Sequence, residues 1–103
     1  MADTHLIDPL GREVVLHDGT WFGHICRVHG DMGRHRRRVE RAVRSPVVIR
    51  VSHSDSNCRL YFAPGPRRLL VVVVADVVGG VVKTAYLGRK ITGGIIEWSS
   101  PTP

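Results

Sequence analysis

Residues 69–75 read Leu-Leu-Val-Val-Val-Val-Ala, seven apolar positions without interruption. Branching at Cβ costs rotamer freedom in a helix and suits a pleated surface, so this run predicts a buried strand. It is far short of the roughly 20 residues needed to cross a bilayer. A chain of 103 residues that must cover such a strand has room for one core.

Hydrophobic residues make up 43% and charged residues 23% of the chain, a balance that argues against disorder and against several domains. No glycine-rich dinucleotide or Walker loop occurs, and no deep cofactor cavity is expected. Two cysteines, Cys26 and Cys58, are too few for a disulfide framework, and no basic-then-apolar leader precedes Asp3. The expected compartment is the cytoplasm. Lys and Arg outnumber Asp and Glu by 15 to 9, and the net charge of +6 suits a polyanionic or acidic protein partner.

The first forty-five residues hold six of the nine acids, whereas 46–98 is dominated by β-branched runs between Gly, Pro and Ser clusters. Asp18 is placed to cap a helix in which Trp21, Ile25 and Val28 recur at i, i+4 and i+7, with Gly30 to end it. A second helix is predicted from near Asp31 to before Ser45-Pro46, since Met32, His35, Val39, Ala42 and Val43 share one stripe. Strands are predicted over 47–52, 59–63, 69–76 and 81–87, the last two joined through Gly79-Gly80. The turn residues Asp8-Pro9-Leu10-Gly11 suit a small N-terminal hairpin. The expected fold is therefore α+β, with two N-terminal helices packed on one face of a mostly antiparallel four- to five-stranded sheet.

Six histidines are many for a chain this small, and imidazole is the side chain best suited to moving protons near neutral pH. His24 and His29 fall on opposite flanks of the first helix's apolar stripe, where a helix borders a cleft; the ordinary alternative is packing at the helix edge. His35 sits on the stripe itself and reads as a half-buried core histidine. His24, Cys26 and His29 point in divergent directions on one helix, so no metal site is expected. Arg34, Arg37, Arg38, Arg41 and Arg44 cluster opposite the second helix's stripe, interrupted only by Glu40. Such a face suits phosphate contact, its alternative being a solvated surface. The period of two places Arg59 with Tyr61, and Thr84 with Tyr86, as polar pairs on a sheet face.

Residues 21–32 (W-F-G-H-I-C-R-V-H-G-D-M), the helix closing at Ser45-Pro46, Arg59-Leu60-Tyr61-Phe62, the valine run and Lys83-Thr84-Ala85-Tyr86 together resemble the phage-associated nucleases of the barnase, EndoU, colicin and RelE superfold. The resemblance spans roughly residues 5–98, with a single nuclease domain over 1–98 and a frayed tail over 99–103. In that family an arginine directly precedes the second histidine; here Val28 does, with Arg27 one position earlier. The resemblance implies helices on one side of an antiparallel sheet, metal-independent ribonuclease or toxin activity, and no cofactor. It implies site roles for His24, His29, Arg59, Tyr61, Thr84 and Tyr86. Metal-free RNA cleavage needs a base for the 2′-hydroxyl, an acid for the leaving 5′-oxygen and cations for the phosphorane. His24 is the expected proton-transfer residue with His29 the alternative, and Arg59 and Arg27 are the expected phosphate contacts. The rival expectation is a non-catalytic module that binds RNA, or an acidic antitoxin or immunity protein, through its arginine-rich second helix.

Overall fold

The computed structural model describes residues 3–101. Strands β1 (Thr4–Ile7), β2 (Glu13–Leu16), β3 (Val48–Val51), β4 (Cys58–Pro64), β5 (Leu70–Asp76), β6 (Val81–Gly88) and β7 (Ile96–Ser99) form one sheet in the order β1-β2-β6-β5-β4-β3-β7. Neighbours run antiparallel except β2 and β6, which are parallel and meet at one register pair, Val15 with Val81. This overturns the expectation of two helices on a four- to five-stranded sheet: the protein is mostly sheet, curled into a half-barrel. The four strands expected from the β-branched runs are present, but the N-terminal hairpin and β7 extend both ends of the same sheet.

The valine run forms β5, paired along its length with β4 and β6. Its continuity follows from burial on both faces. Val71, Val73 and Ala75 join the main core with Ile49, Tyr61, Val39, Val43, Trp21 and Ile25, while Val72 joins a smaller cluster with Val48, Leu60 and Phe62 on the other face.

Helical structure is broken into pieces: α1 (Asp18–Thr20), a π-helical turn (Trp21–Ile25), α2 (Cys26–Val28), a 3-10 turn (Gly30–Arg34) and α3 (Arg36–Arg44). The π turn adds a residue to one helical turn and rotates everything after it. Trp21 and Ile25 are buried as the 3.6-residue period requires, but Val28 is 61% exposed, and Met32 of the next turn is fully buried. Non-helical backbone at His29 (φ −123°, ψ 71°) and a break at His35 (φ −118°, ψ 24°) end the first segment and separate the 3-10 turn from α3. Asp18 is not the cap. The Asp3 carboxylate accepts from the Asp18 amide (2.9 Å) and from His17 Nδ1 (2.8 Å) at this helix start, and Asp18 itself binds Arg36 (2.8 Å), whose guanidinium lies 5.6 Å over Trp21.

The curl brings the two ends of the strand order together. Arg12, in the β1–β2 turn, forks onto Glu97 of β7 (Nη2–Oε1 2.7 Å, Nη1–Oε2 3.1 Å). Arg12 Nε also donates to Asp8 Oδ2 (2.8 Å), Tyr61 donates to the same oxygen (2.6 Å), and Arg59 Nε donates to Glu97 (2.9 Å). Side chains here do across the gap what a ladder of backbone hydrogen bonds would do in a closed barrel. The tail expected to fray from residue 99 is still strand at Ser99, and the Ser100 amide donates to Val47 (2.9 Å); Thr102 and Pro103 lie outside the described residues.

Candidate functional site

The site is built along β6. Its register against β5 pairs Val74 with Thr84 but Ala75 with Val82, so Lys83 is the extra residue of a β-bulge. A bulge re-aims side chains that strict alternation would send to opposite faces. Lys83 and Thr84 consequently line one groove of about 380 Å³, with Cys58 and Val74 from the neighbouring strands and Ser52, Ser54 and Asp55 from the polar loop after β3. The helical segment that anchors Trp21 and Ile25 in the main core presents His24 to this groove from the side.

Thr84 Oγ1 is buried and has no hydrogen-bond partner. Such an atom carries the full cost of lost hydration, and a ligand offsets it only once the side chain turns its hydroxyl into the groove. The Asp55 carboxyl is held below its ordinary value by the Asn57 amide, with help from the Cys58 thiol and Lys83. Burial, and then Asp55, push the Cys58 thiol up, away from the reactive thiolate.

One residue pair further along β6, the His29 ring stands 5.8 Å from the Tyr86 ring at a 38° tilt. Thr84 and Tyr86 share a face, two strand positions or roughly 7 Å apart. The register carries their rows across the sheet, Arg50-Leu60-Val74-Thr84 and Val48-Phe62-Val72-Tyr86. Arg50 Nε is buried and unpartnered at the far end of the first row. Gly93 packs there: at φ +104° a Cβ would come within 2.7 Å of Leu60, so the loop before β7 can lie this close only with glycine.

The structure thus gathers His24, Thr84, His29 and Tyr86 along one edge of one sheet face. It separates Arg59 and Tyr61 from them. Both project to the helix side, where Tyr61 is fully buried and Arg59 is bound to Glu97. Burial and the hydrogen bond to Asp8 push the Tyr61 hydroxyl well above its ordinary pKa. Burial would raise the Asp8 and Glu97 carboxyls too, but hydrogen bonds from Tyr61 and Arg12 to Asp8, and from Arg12 and Arg59 to Glu97, outweigh it and hold both below their ordinary values. These residues hold the sheet ends together and do not face the groove. Lys83 and Arg50 were missed in the sequence, Lys83 because the bulge is a property of pairing and not of composition.

The arginines divide as well. Arg37, Arg41 and Arg44 line a shallow cleft of about 350 Å³ with Glu40 on the outer face of α3. Since α3 packs Val39, Ala42 and Val43 into the main core, that face lies across the sheet from the His24 groove. Arg38 is exposed on the same helix; Arg27 and Arg34 are exposed on α2 and the 3-10 turn, beside the histidines in the chain. Among the described residues no three His, Cys, Asp or Glu side chains gather as a metal-ligand set, and no helix is long and apolar enough to cross a membrane.

Fold and site together define a small basic, sheet-dominated domain with a histidine-bearing groove on the side of the sheet away from α3. Comparison with family models, with curated proteins and with solved structures finds no match for the chain.

Proposed function

We propose that the chain is a metal-independent ribonuclease of the toxin or phage-associated kind, acting in the cytoplasm. The observation that carries this reading is the groove shared by His24, Lys83 and the buried, unpartnered Thr84 hydroxyl, with His29 and Tyr86 next along the same strand. One imidazole takes the proton of the 2′-hydroxyl as its oxygen bonds to phosphorus, and the other gives a proton to the 5′-oxygen as the P–O5′ bond breaks. The products are a 2′,3′-cyclic phosphate and a free 5′-hydroxyl. Thr84 donates to a phosphate oxygen and Lys83 offsets the charge of the phosphorane, the part expected, from the sequence, of Arg59 and Arg27. Tyr86 offers a ring face to a base. The test is incubation of purified protein with RNA in the presence of chelator. Cleavage with cyclic-phosphate ends, lost in His24→Ala while RNA binding persists, is expected; cleavage by both His24→Ala and His29→Ala would remove the histidine mechanism.

One observation favours a second reading. The arginine face of α3 stands apart from the groove and serves no purpose in cleavage there, as expected of a module that binds RNA or an acidic antitoxin or immunity protein. Harmless expression, with no RNA cut by the wild type, would make that reading the better one.

A further inference from the structure

A second cleft, of about 490 Å³, opens at the far end of β6 between the 3-10 turn and the β4–β5 connection. Gly30, Asp31, Arg34 and His35 line one wall, Arg67 and Leu87 the other. Leu87 is three strand positions from Thr84, roughly 10 Å, and the His29–Tyr86 contact lies between them. Leu87 turns toward the main core, on the opposite face from Thr84 and Tyr86, so the cleft lies just beyond the end of the groove that holds His24, on the helix side of β6.

Its charge is poorly compensated. Asp31 is the one acid at its wall, and among the described residues neither Arg34 nor Arg67 has a carboxylate partner. The α3 face differs, since Glu40 sits among its arginines and reaches Arg36 and Arg44. The backbone supplies an independent sign. Arg67 (φ 54°) and Arg68 (φ 64°) are consecutive non-glycine residues in the left-handed region, directly after Pro66. Glycine would adopt this turn without strain, yet arginine occupies both positions. Strained backbone that the surrounding fold enforces is found where a side chain must be held in place.

We infer that this cleft is a phosphate-binding subsite, in which Arg34, His35 and Arg67 hold a phosphate flanking the scissile one on the same single strand of RNA. Cleavage at the neighbouring phosphate rests on the ribonuclease reading, but phosphate binding in the cleft does not. It moves the main phosphate contact from α3 to the β4–β5 turn.

The probe is a short fluorescein-labelled 2′-O-methyl oligouridylate, which lacks the attacking hydroxyl and cannot be cut, followed by fluorescence anisotropy across a salt series. Arg67→Gly removes the cation and relieves the left-handed strain, so its unfolding temperature should be no lower than that of the wild type. Its affinity should fall about tenfold at low salt, and the slope of log affinity against log salt should drop by about one. Arg37→Glu with Arg41→Glu on α3 should keep the wild-type slope. Arg67→Gly binding within twofold of wild type with an unchanged slope, or a wild type that does not bind the probe, would overturn the subsite. Arg67-dependent binding by a protein that cuts no RNA would support the subsite and remove the ribonuclease reading alone.

Discussion

Two groups of polar side chains, one on each side of the central sheet, are built in opposite ways, although Arg36 Nη1 on the helix side is also buried without a partner. On the helix side, Asp8, Arg12, Arg59, Tyr61 and Glu97 bind one another and join the two ends of the strand order. On the other side, Thr84 Oγ1, in the groove that His24 lines, and Arg50 Nε, at the far end of the same row, are buried without partners. Satisfied buried polar groups specify a structure; unsatisfied ones in a groove await a ligand. The same residue types, arginine and a hydroxyl, thus serve architecture on one side and are free for chemistry on the other.

The largest expected effect falls on the open side. Losing a positioned proton-transfer group costs about 10²- to 10⁴-fold in kcat, so His24→Ala should lose cleavage by that factor with its unfolding temperature unchanged. A matching loss of stability would show that His24 is part of the architecture and blur the contrast. On the helix side the order is reversed. Asp8→Ala leaves the Tyr61 hydroxyl and Arg12 Nε without their acceptor and should destabilise the fold by about 3–5 kcal/mol in urea unfolding, while cleavage per folded molecule stays at the wild-type rate. A specific loss of kcat in the folded fraction would connect the two sides.

The acid limb of stability follows from the same cluster. Asp8 and Glu97 have folded pKa values below their ordinary 3.8 and 4.5. Each therefore contributes stability that is fully present above its unfolded value and is lost as pH falls through the folded one. The unfolding temperature should decline as pH is taken below about 4.5, and Glu97→Gln should flatten that decline. An identical acid profile in Glu97→Gln would place the acid sensitivity elsewhere.

Much of the sheet was legible because β-branched runs and their turn residues are local signals, and the strands at 48–51, 58–64, 70–76 and 81–88 fall within a residue or two of the expected bounds. β7 was not, since Ile96 and Trp98 acquire strand structure only by pairing with β3. The first helix misled at Val28 because a 3.6-residue period has no place for a π turn. The alternation in β4 correctly grouped Arg59 with Tyr61, but which face they share is not written locally. Residues 60–63 are all buried, so the strand carries no amphipathic sign to say which side meets the helices. Thr84 and Tyr86 were legible as a pair, and His24 and His29 as flank residues. What brought them together was the packing of a distorted helix beside β6.

The central claim is that the groove holds a buried polar atom at a cost in stability because a substrate uses it. Thr84→Val tests it in one sample, through its unfolding free energy and its kcat/KM for RNA. Replacing an unpartnered hydroxyl by a methyl removes a desolvation penalty of about 1–3 kcal/mol, so the variant should be at least as stable as wild type while cleaving RNA about tenfold or more slowly. A variant that is less stable and cleaves at the wild-type rate would contradict the account, because the hydroxyl would then be a structural group on the side assigned to chemistry.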